Sequence, residues 1–348
     1  WLKSAQRSGA FCRRRQPPHG AGARRRMRWP GSERISWWLL AAASFLLAVE
    51  AEPLGFLLIS APRNGKISWV KLPEDGSFQG LSPVVLIDDG LRHPQGIAID
   101  EKRRKLYVAD PDVQKIYSYQ LIINGDTLQT DGRQTVVAEN AESRWVTVDG
   151  VGNVFFSDEP RNRILKVSAE KVLRGDPAPE VVYSGGSLAE VSEPGGVAVD
   201  NFDVYWTNKR FGTQAGSLVR GRELPKGHAQ GSVSVLARNS IKSYGVCIAL
   251  GNVFYTNYEN SVYGVKKTGG PVVEVTSELK HPRGCAWDRD GTVFVADRGA
   301  GAVYSFPANM AEITRADVTK AFDFEDAFGL AVVVAEPEPT GIFSAIFR

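Results

Sequence analysis

The stretch PGGVAVDNFDVYWTN, Pro194 to Asn208, places two apolar runs of β-branched and aromatic residues on either side of a short Asp/Asn turn. Runs of that length and composition between turn clusters read as strands, and no helical period competes with them. The first run belongs to a set: PQGIAID (Pro94 to Asp100), SRWVTVD (Ser143 to Asp149), PGGVAVD (Pro194 to Asp200), SYGVCIA (Ser243 to Ala249), PRGCAWD (Pro282 to Asp288) and AFGLAVV (Ala327 to Val333). With the third letter as anchor, positions 96, 145, 196, 245, 284 and 329 are spaced by 49, 51, 49, 39 and 45 residues. A period in the forties with several short strands per unit marks the blades of a β-propeller.

Each anchor except the last leads to a second run: KLYVAD, NVFFSD, DVYWTN, NVFYTN and TVFVAD. Third strands such as KIYSYQL, RILKVS and AVYSF follow, and fourth strands are readable at TVVAE (Thr135 to Glu139), EVVYSG (Glu180 to Gly185) and VVEVT (Val272 to Thr276). GFLLISAPRNGKISWVKL (Gly55 to Leu72) supplies strands two and three without a strand one, whereas AFGLAVV supplies a strand one alone. Pairing the last segment into the first blade closes the ring and leaves no exposed sheet edge. The expected fold is all-β, a six-bladed propeller whose C-terminal strand completes the first blade. Two places after the anchors stand Ala98, Thr147, Ala198, Cys247, Ala286 and Ala331, small residues suited to packing between blades. Cys285 stands one place after its anchor and so points to the opposite face of its strand, which argues against a Cys247 to Cys285 disulfide.

DVYWTN, NVFYTN, PQGIAIDEKRRKLYVAD and SDEPRNRILKV resemble the NHL repeat and the related YWTD repeat of low-density-lipoprotein-receptor type, over residues 55 to about 335. The resemblance implies the six-bladed ring. It leaves function open, since receptors, scaffolds and hydrolases share the fold.

The N-terminus reads differently from the body. Residues 1–26 are basic and without hydrophobic period, and are expected to be a disordered or mis-assigned extension, Met27 being a natural start. Residues 27–51 carry a basic flank, an uncharged apolar run of 15 residues from Ile35 to Val49, and small residues at a cleavage position. That is a secretory signal peptide, with an uncleaved membrane anchor as the alternative. The expected organisation is then a propeller over 52–335 and a short tail over 336–348, in a protein that is secreted or lumenal. Beyond residue 51 the chain has 32 basic and 37 acidic residues, so the formal net charge of +3 becomes −5. No nucleic-acid partner is expected of such a body. No Asn-x-Ser/Thr sequon occurs.

Asp158, in SDEPRNRILKV, has the equivalents Ser60, Asp110, Asn208, Asn257 and Asp297, a short polar side chain at the end of every second strand. The expected role is capping the turn between strands two and three. Arg163 opens the third strand. Propellers resembling gluconolactonases, paraoxonases and strictosidine synthases work around a metal or polar centre on the axis, and the lactonase types draw Ca²⁺ ligands from the residue before the anchor. Here that ring reads Gln95, Arg144, Gly195, Tyr244, Arg283 and Phe328, without a carboxylate for a cation that requires several oxygen ligands. No metal or other cofactor is expected. His93 and His281 both precede the proline of a blade opening (RHPQG, KHPRG), His228 lies in LPKGHAQG, and no Ser-His-Asp order, Gly-x-Ser-x-Gly, Cys-x-x-Cys or HExxH occurs.

Arg144 and Arg283 fall on the third and sixth blades, across the axis. With Gln95, Tyr244 and Phe328 they could hold an anionic group such as a carboxylate; alternatively each pairs with a loop acid such as Glu142 or Asp290. The insertion Lys209 to Gly231 carries five basic residues and one acid and reads as a possible partner loop or a solvated one. The expected activity is recognition of a protein, peptide or other ligand, or of a small anion in the channel, on one face of the ring, with no catalytic residues. Membrane contact is confined to an uncleaved N-terminal segment. The alternative is a hydrolase or lactonase of the strictosidine synthase, gluconolactonase or paraoxonase kind.

Overall fold

A computed structural model describes residues 54–335, apart from 74–75, 79, 211–215, 226–232, 240 and 309–310. The expectations for residues 1–51, the tail 336–348 and His228 lie outside the described residues.

Six antiparallel sheets form the blades. Blade 1 consists of β1 (Leu54–Ala61), β2 (Lys66–Lys71) and β3 (Val84–Ile87) with β25 (Leu330–Ala335) as its innermost strand. The ring therefore closes as the sequence implies, Leu57 standing opposite Val332 and Ile59 opposite Leu330. Blade 2 holds β4 (Ile97–Asp100), β5 (Lys105–Asp110), β6 (Lys115–Asn124) and β8 (Thr135–Glu139), with β7 (Thr127–Thr130) folded back on the end of β6. Blade 3 holds β9 (Val146–Val148), β10 (Val154–Asp158), β11 (Arg163–Val167) and β12 (Glu180–Ser184). Blade 4 runs from β13 (Pro194–Val199) through β14 (Asp203–Asn208) and β15 (Ser217–Arg222) to β16 (Val233–Arg238). Blade 5 runs from β17 (Ser243–Ala249) through β18 (Asn252–Asn257) and β19 (Val262–Lys266) to β20 (Val273–Thr276). Blade 6 comprises β21 (Pro282–Trp287), β22 (Thr292–Asp297), β23 (Ala302–Pro307) and β24 (Thr319–Asp323).

A blade is covered on both faces by its neighbours, so its second strand has no solvent side. This explains why VFFSD of β10 and NVFYTN of β18 are buried at every position instead of alternating. The anchor glycines meet backbone of the next blade: a Cβ on Gly196 would lie 2.5 Å from the Tyr244 carbonyl oxygen, and one on Gly245 would lie 2.2 Å from that of Arg283. Blade 3 breaks the rule with Trp145, and the blade beside it presents Gly195, without a side chain, at the ring position.

The small residues two places after the anchors pack as expected, with a partner the sequence analysis did not foresee. Ala98 clusters with Val146, Ala198 with Val246, and Ala286 with Leu330. In each pair the second position of one blade faces the first position of the next. Cys247 and Cys285 occupy that relation and form a disulfide, with Cα atoms 5.6 Å apart. The expectation against the bond fails because neighbouring blades turn opposite faces toward each other. Side chains on opposite faces of their own strands then meet in the gap.

The polar residue ending each second strand does more than cap the following turn. Asn257 does so, its Oδ1 accepting from the backbone N–H groups of Glu259, Asn260 and Ser261. Asp110 instead accepts from the backbone of Arg92 and His93, in the loop leading into its own blade. Asp297 serves both loops, binding the amides of Lys280 and His281 and of Gly299 and Ala300. Asp158 is fully buried and pairs with Arg161 and Arg163 side chains. The insertion Lys209 to Gly231 is likewise not one loop, since β15 runs through its middle.

On the opposite face, Glu223 follows β15, 8% exposed, with its Oε1 lacking a hydrogen-bond partner. Burial, and then the fields of Asp149, Asp200 and Asp203, push its carboxyl up to about 7 from 4.5. Because the folded value exceeds the unfolded one, the stabilising proton is held in the folded state. Its contribution is complete below about pH 4.5 and disappears as pH rises through about 7. Glu223→Gln is therefore expected to melt above the native protein at pH 8, the difference fading below about pH 5; equal melting temperatures at pH 8 would contradict this.

Candidate functional site

Three of the innermost strands carry a register shift where they approach the axis: between Pro194 and Val197, Ser243 and Val246, and Pro282 and Cys285. The residue before the anchor sits inside each irregularity. A bulge takes such a residue out of the ladder and re-aims its side chain. This local geometry brings Tyr244 and Arg283 into one cavity of about 240 Å³, together with Gln95, Arg144 and Phe328. All five residues singled out in the sequence thus line the same cup. A neighbouring cavity of about 270 Å³ shares Arg283 and Arg298 with it and extends to Arg63, Tyr258 and His281.

Trp145 and Phe328, from blades 3 and 1, meet with ring centroids 5.1 Å apart. Blade 2 lies between blades 1 and 3 in the ring, so the two side chains meet past it in one buried cluster, and Phe328 is the member that lines the cup. Phe328 also takes the Arg298 guanidinium 5.8 Å from its ring centre. Tyr244 bears the Arg283 guanidinium at 4.5 Å and the Lys209 ammonium at 5.0 Å, and stacks on Tyr258 at 5.9 Å. Burial raises the Tyr244 hydroxyl above its ordinary value, opposed by Arg283.

The ion pairs divide the cations into two groups. Arg144 Nη2 lies 3.1 Å from Glu142, one of the loop acids anticipated, and its Nε lies 3.2 Å from Glu159. Lys209 Nζ reaches the same Glu159 carboxylate at 2.5 Å, so one acid serves two cations. The Lys209 side chain is 6% exposed; desolvation pulls its ammonium below the ordinary range, and Glu159 works against that shift. Arg298 bonds Asp326 at 2.6 Å. Arg283 forms no ion pair among the described residues; it donates to its neighbour's carbonyl, Pro282 O, at 2.9 Å, and burial lowers its guanidinium from the ordinary value. Asp290 is not among its ion-pair partners. Gln95 is 2% exposed with Oε1 unpartnered, although it lines the cup.

Glu159, Lys209, Tyr258 and Arg298 were missed, yet they share one register: each directly follows the polar residue that ends a second strand, Asp158, Asn208, Asn257 and Asp297. His93, Glu142, Lys242, His281 and Asp326 form a further set, two places before the ring residue. The site is built of three tiers repeated around the axis, and only the innermost was recognised. His93 and His281, read as loop residues, do have their backbone amides fastened to Asp110 and Asp297, and both also face the cavities. Among the described residues, no group of three or more His, Cys, Asp or Glu is placed to hold a metal ion.

An all-β ring of six blades, five of four strands and one of five, around such a cup defines a six-bladed β-propeller. Solved structures with the same architecture include a chain of the nidogen/laminin complex, 13% identical, at a TM-score of 0.62 over 81% of this chain and all of that one. The periplasmic gluconolactonase of Pseudomonas aeruginosa is 14% identical at a TM-score of 0.55, over 82% of this chain and all of that one. A protein from Lactobacillus plantarum is 13% identical at 0.50, over 81% and 100%. At these identities the likeness is one of fold alone. No family model and no curated protein matches the sequence.

Proposed function

We propose that the protein is a non-enzymatic recognition module of NHL/YWTD type, secreted or lumenal, whose cup captures an anionic group carried by a protein, peptide or small ligand. The observation that carries this reading is Arg283, largely withdrawn from water, held over Tyr244 and without a carboxylate partner among the described residues. A half-buried guanidinium in that state is stabilised by an incoming anion, and bidentate capture of an oxyanion is its characteristic chemistry. The buried disulfide supports an oxidising compartment. One similar structure comes from a complex between proteins, which is consistent with a binding role. A lactonase reading is less well supported. The ring residues contain no carboxylate, and Glu159 is engaged by Arg144 and Lys209.

The test is calorimetric titration with benzoate at low ionic strength. Replacing Arg144→Ala and Arg283→Ala together removes two charge-assisted contacts of about 1.5–3 kcal/mol each, so affinity is expected to fall at least about 100-fold. Unchanged affinity in a double variant that still melts cooperatively would refute the reading. Titration with Ca²⁺ after chelation separates the two classes: a rise in melting temperature would redirect attention to lactone and ester hydrolysis.

A further inference from the structure

We infer that the cup takes a doubly charged oxyanion, the phosphoryl group of a small phosphomonoester, in preference to a single carboxylate. The inference rests on the anion-binding reading above and adds the charge and shape of the ligand.

Charge is the first argument. Six cations, Arg63, Arg144, Lys209, Lys242, Arg283 and Arg298, line the two neighbouring cavities. Three carboxylates pair with them: Glu142, Glu159 and Asp326. Counting a further acid for Lys242, the positive excess is still two. Asp297, whose field reaches Arg283, offsets that excess in part; its oxygens are turned to four backbone amides, and it forms no ion pair among the described residues. One carboxylate neutralises half of that excess. A phosphomonoester carries a charge of about −1.5 to −2 at neutral pH and three acceptor oxygens.

Shape is the second. Arg144 comes from blade 3, Lys209 from blade 4 and Arg283 from blade 6, so donors surround the cup from three sides. A planar carboxylate presents its oxygens in one plane, whereas a phosphoryl group spreads three oxygens around its axis. Size agrees, since about 240 Å³ lies below the 300–1,000 Å³ usual for sites that hold drug-sized ligands.

The third is Gln95. Its carboxamide is enclosed, faces the cup and has an unpartnered acceptor. A buried polar group in that state calls for a polar occupant. A carboxamide offers both donors and an acceptor, so it suits an ester whose alcohol carries a further hydroxyl.

The decisive comparison uses an isosteric pair, methyl phosphate and methyl sulfate, the first mostly dianionic at pH 7.5 and the second a monoanion. Titrated against the full chain at low salt, methyl phosphate is expected to bind at least about tenfold more tightly and to raise the melting temperature more. That preference should shrink as pH falls through about 6, where the second phosphate proton is taken up, while methyl sulfate binding changes far less. Arg283→Gln should abolish the preference without unfolding the ring, and glycerol phosphate should exceed methyl phosphate. Equal affinity for the two methyl esters would overturn this inference and leave the anion site standing. Failure of benzoate and of both esters to bind a properly melting protein would overturn both.

Discussion

Replacing Cys247 and Cys285 together by alanine is expected to lower the unfolding free energy by about 4 kcal/mol, from the chain-entropy cost of reopening a loop of 38 residues. The bond joins the innermost strands of blades 5 and 6, beside the hydrogen bond that Thr256 Oγ1 of blade 5 donates to the Arg283 carbonyl of blade 6. Denaturant unfolding of the oxidised native protein and the double variant measures it. The cup should respond too, since Tyr244 and Arg283 lie three and two residues upstream of the two cysteines. A change well below about 1 kcal/mol would mean that the pairing of β17 with its neighbours already fixes the blade interface without the bond.

Trp206→Ala carries the other large effect, about 5 kcal/mol, at the top of the range for emptying a tryptophan site. Trp206 is fully enclosed, stacks against Tyr183 at 5.0 Å, and donates from Nε1 to the Glu190 carbonyl at 2.9 Å. Truncation leaves a cavity between blades and takes away one of the two donors to that carbonyl, the other being Asn208 Nδ2 at 2.9 Å. Trp145 supplies the control. It is also buried, but its Nε1 has no partner, so Trp145→Ala removes an unsatisfied group along with the ring. Its cost should fall near about 3 kcal/mol, at the bottom of the same range, the difference reflecting the hydrogen bond. The reverse order in equilibrium unfolding would contradict this account.

What could be read from the chain follows from how a propeller repeats. The glycine anchors and the second strands were legible because backbone contact and two-sided burial constrain them in every blade. The five ring residues were legible for the same reason: their register relative to the anchor places them at the axis whatever their identity. Glu159, Lys209 and Arg298 were equally periodic, but Asp158, Asn208 and Asp297 just before them drew the reading toward turn capping. The disulfide was misjudged through geometry of a different order. Alternation along one strand was applied correctly, whereas which face a blade turns toward its neighbour is a property of the ring. Trp145 shows the converse. It departs from the repeat, and its packing against Phe328, which lines the cup, becomes visible only in the folded ring.

The pairing of β1 with β25 has a consequence for synthesis. Leu57 must wait for Val332, 275 residues later, before the first blade gains its innermost strand. At ribosomal rates of about 5–20 residues per second, that partner follows about 14 to 55 seconds behind. Throughout that interval β1 presents an uncovered apolar edge, LGFLLISA. Blades 2 to 6 can assemble in order behind it, but the first blade made is the last completed, and it is there that a chaperone would have most to protect.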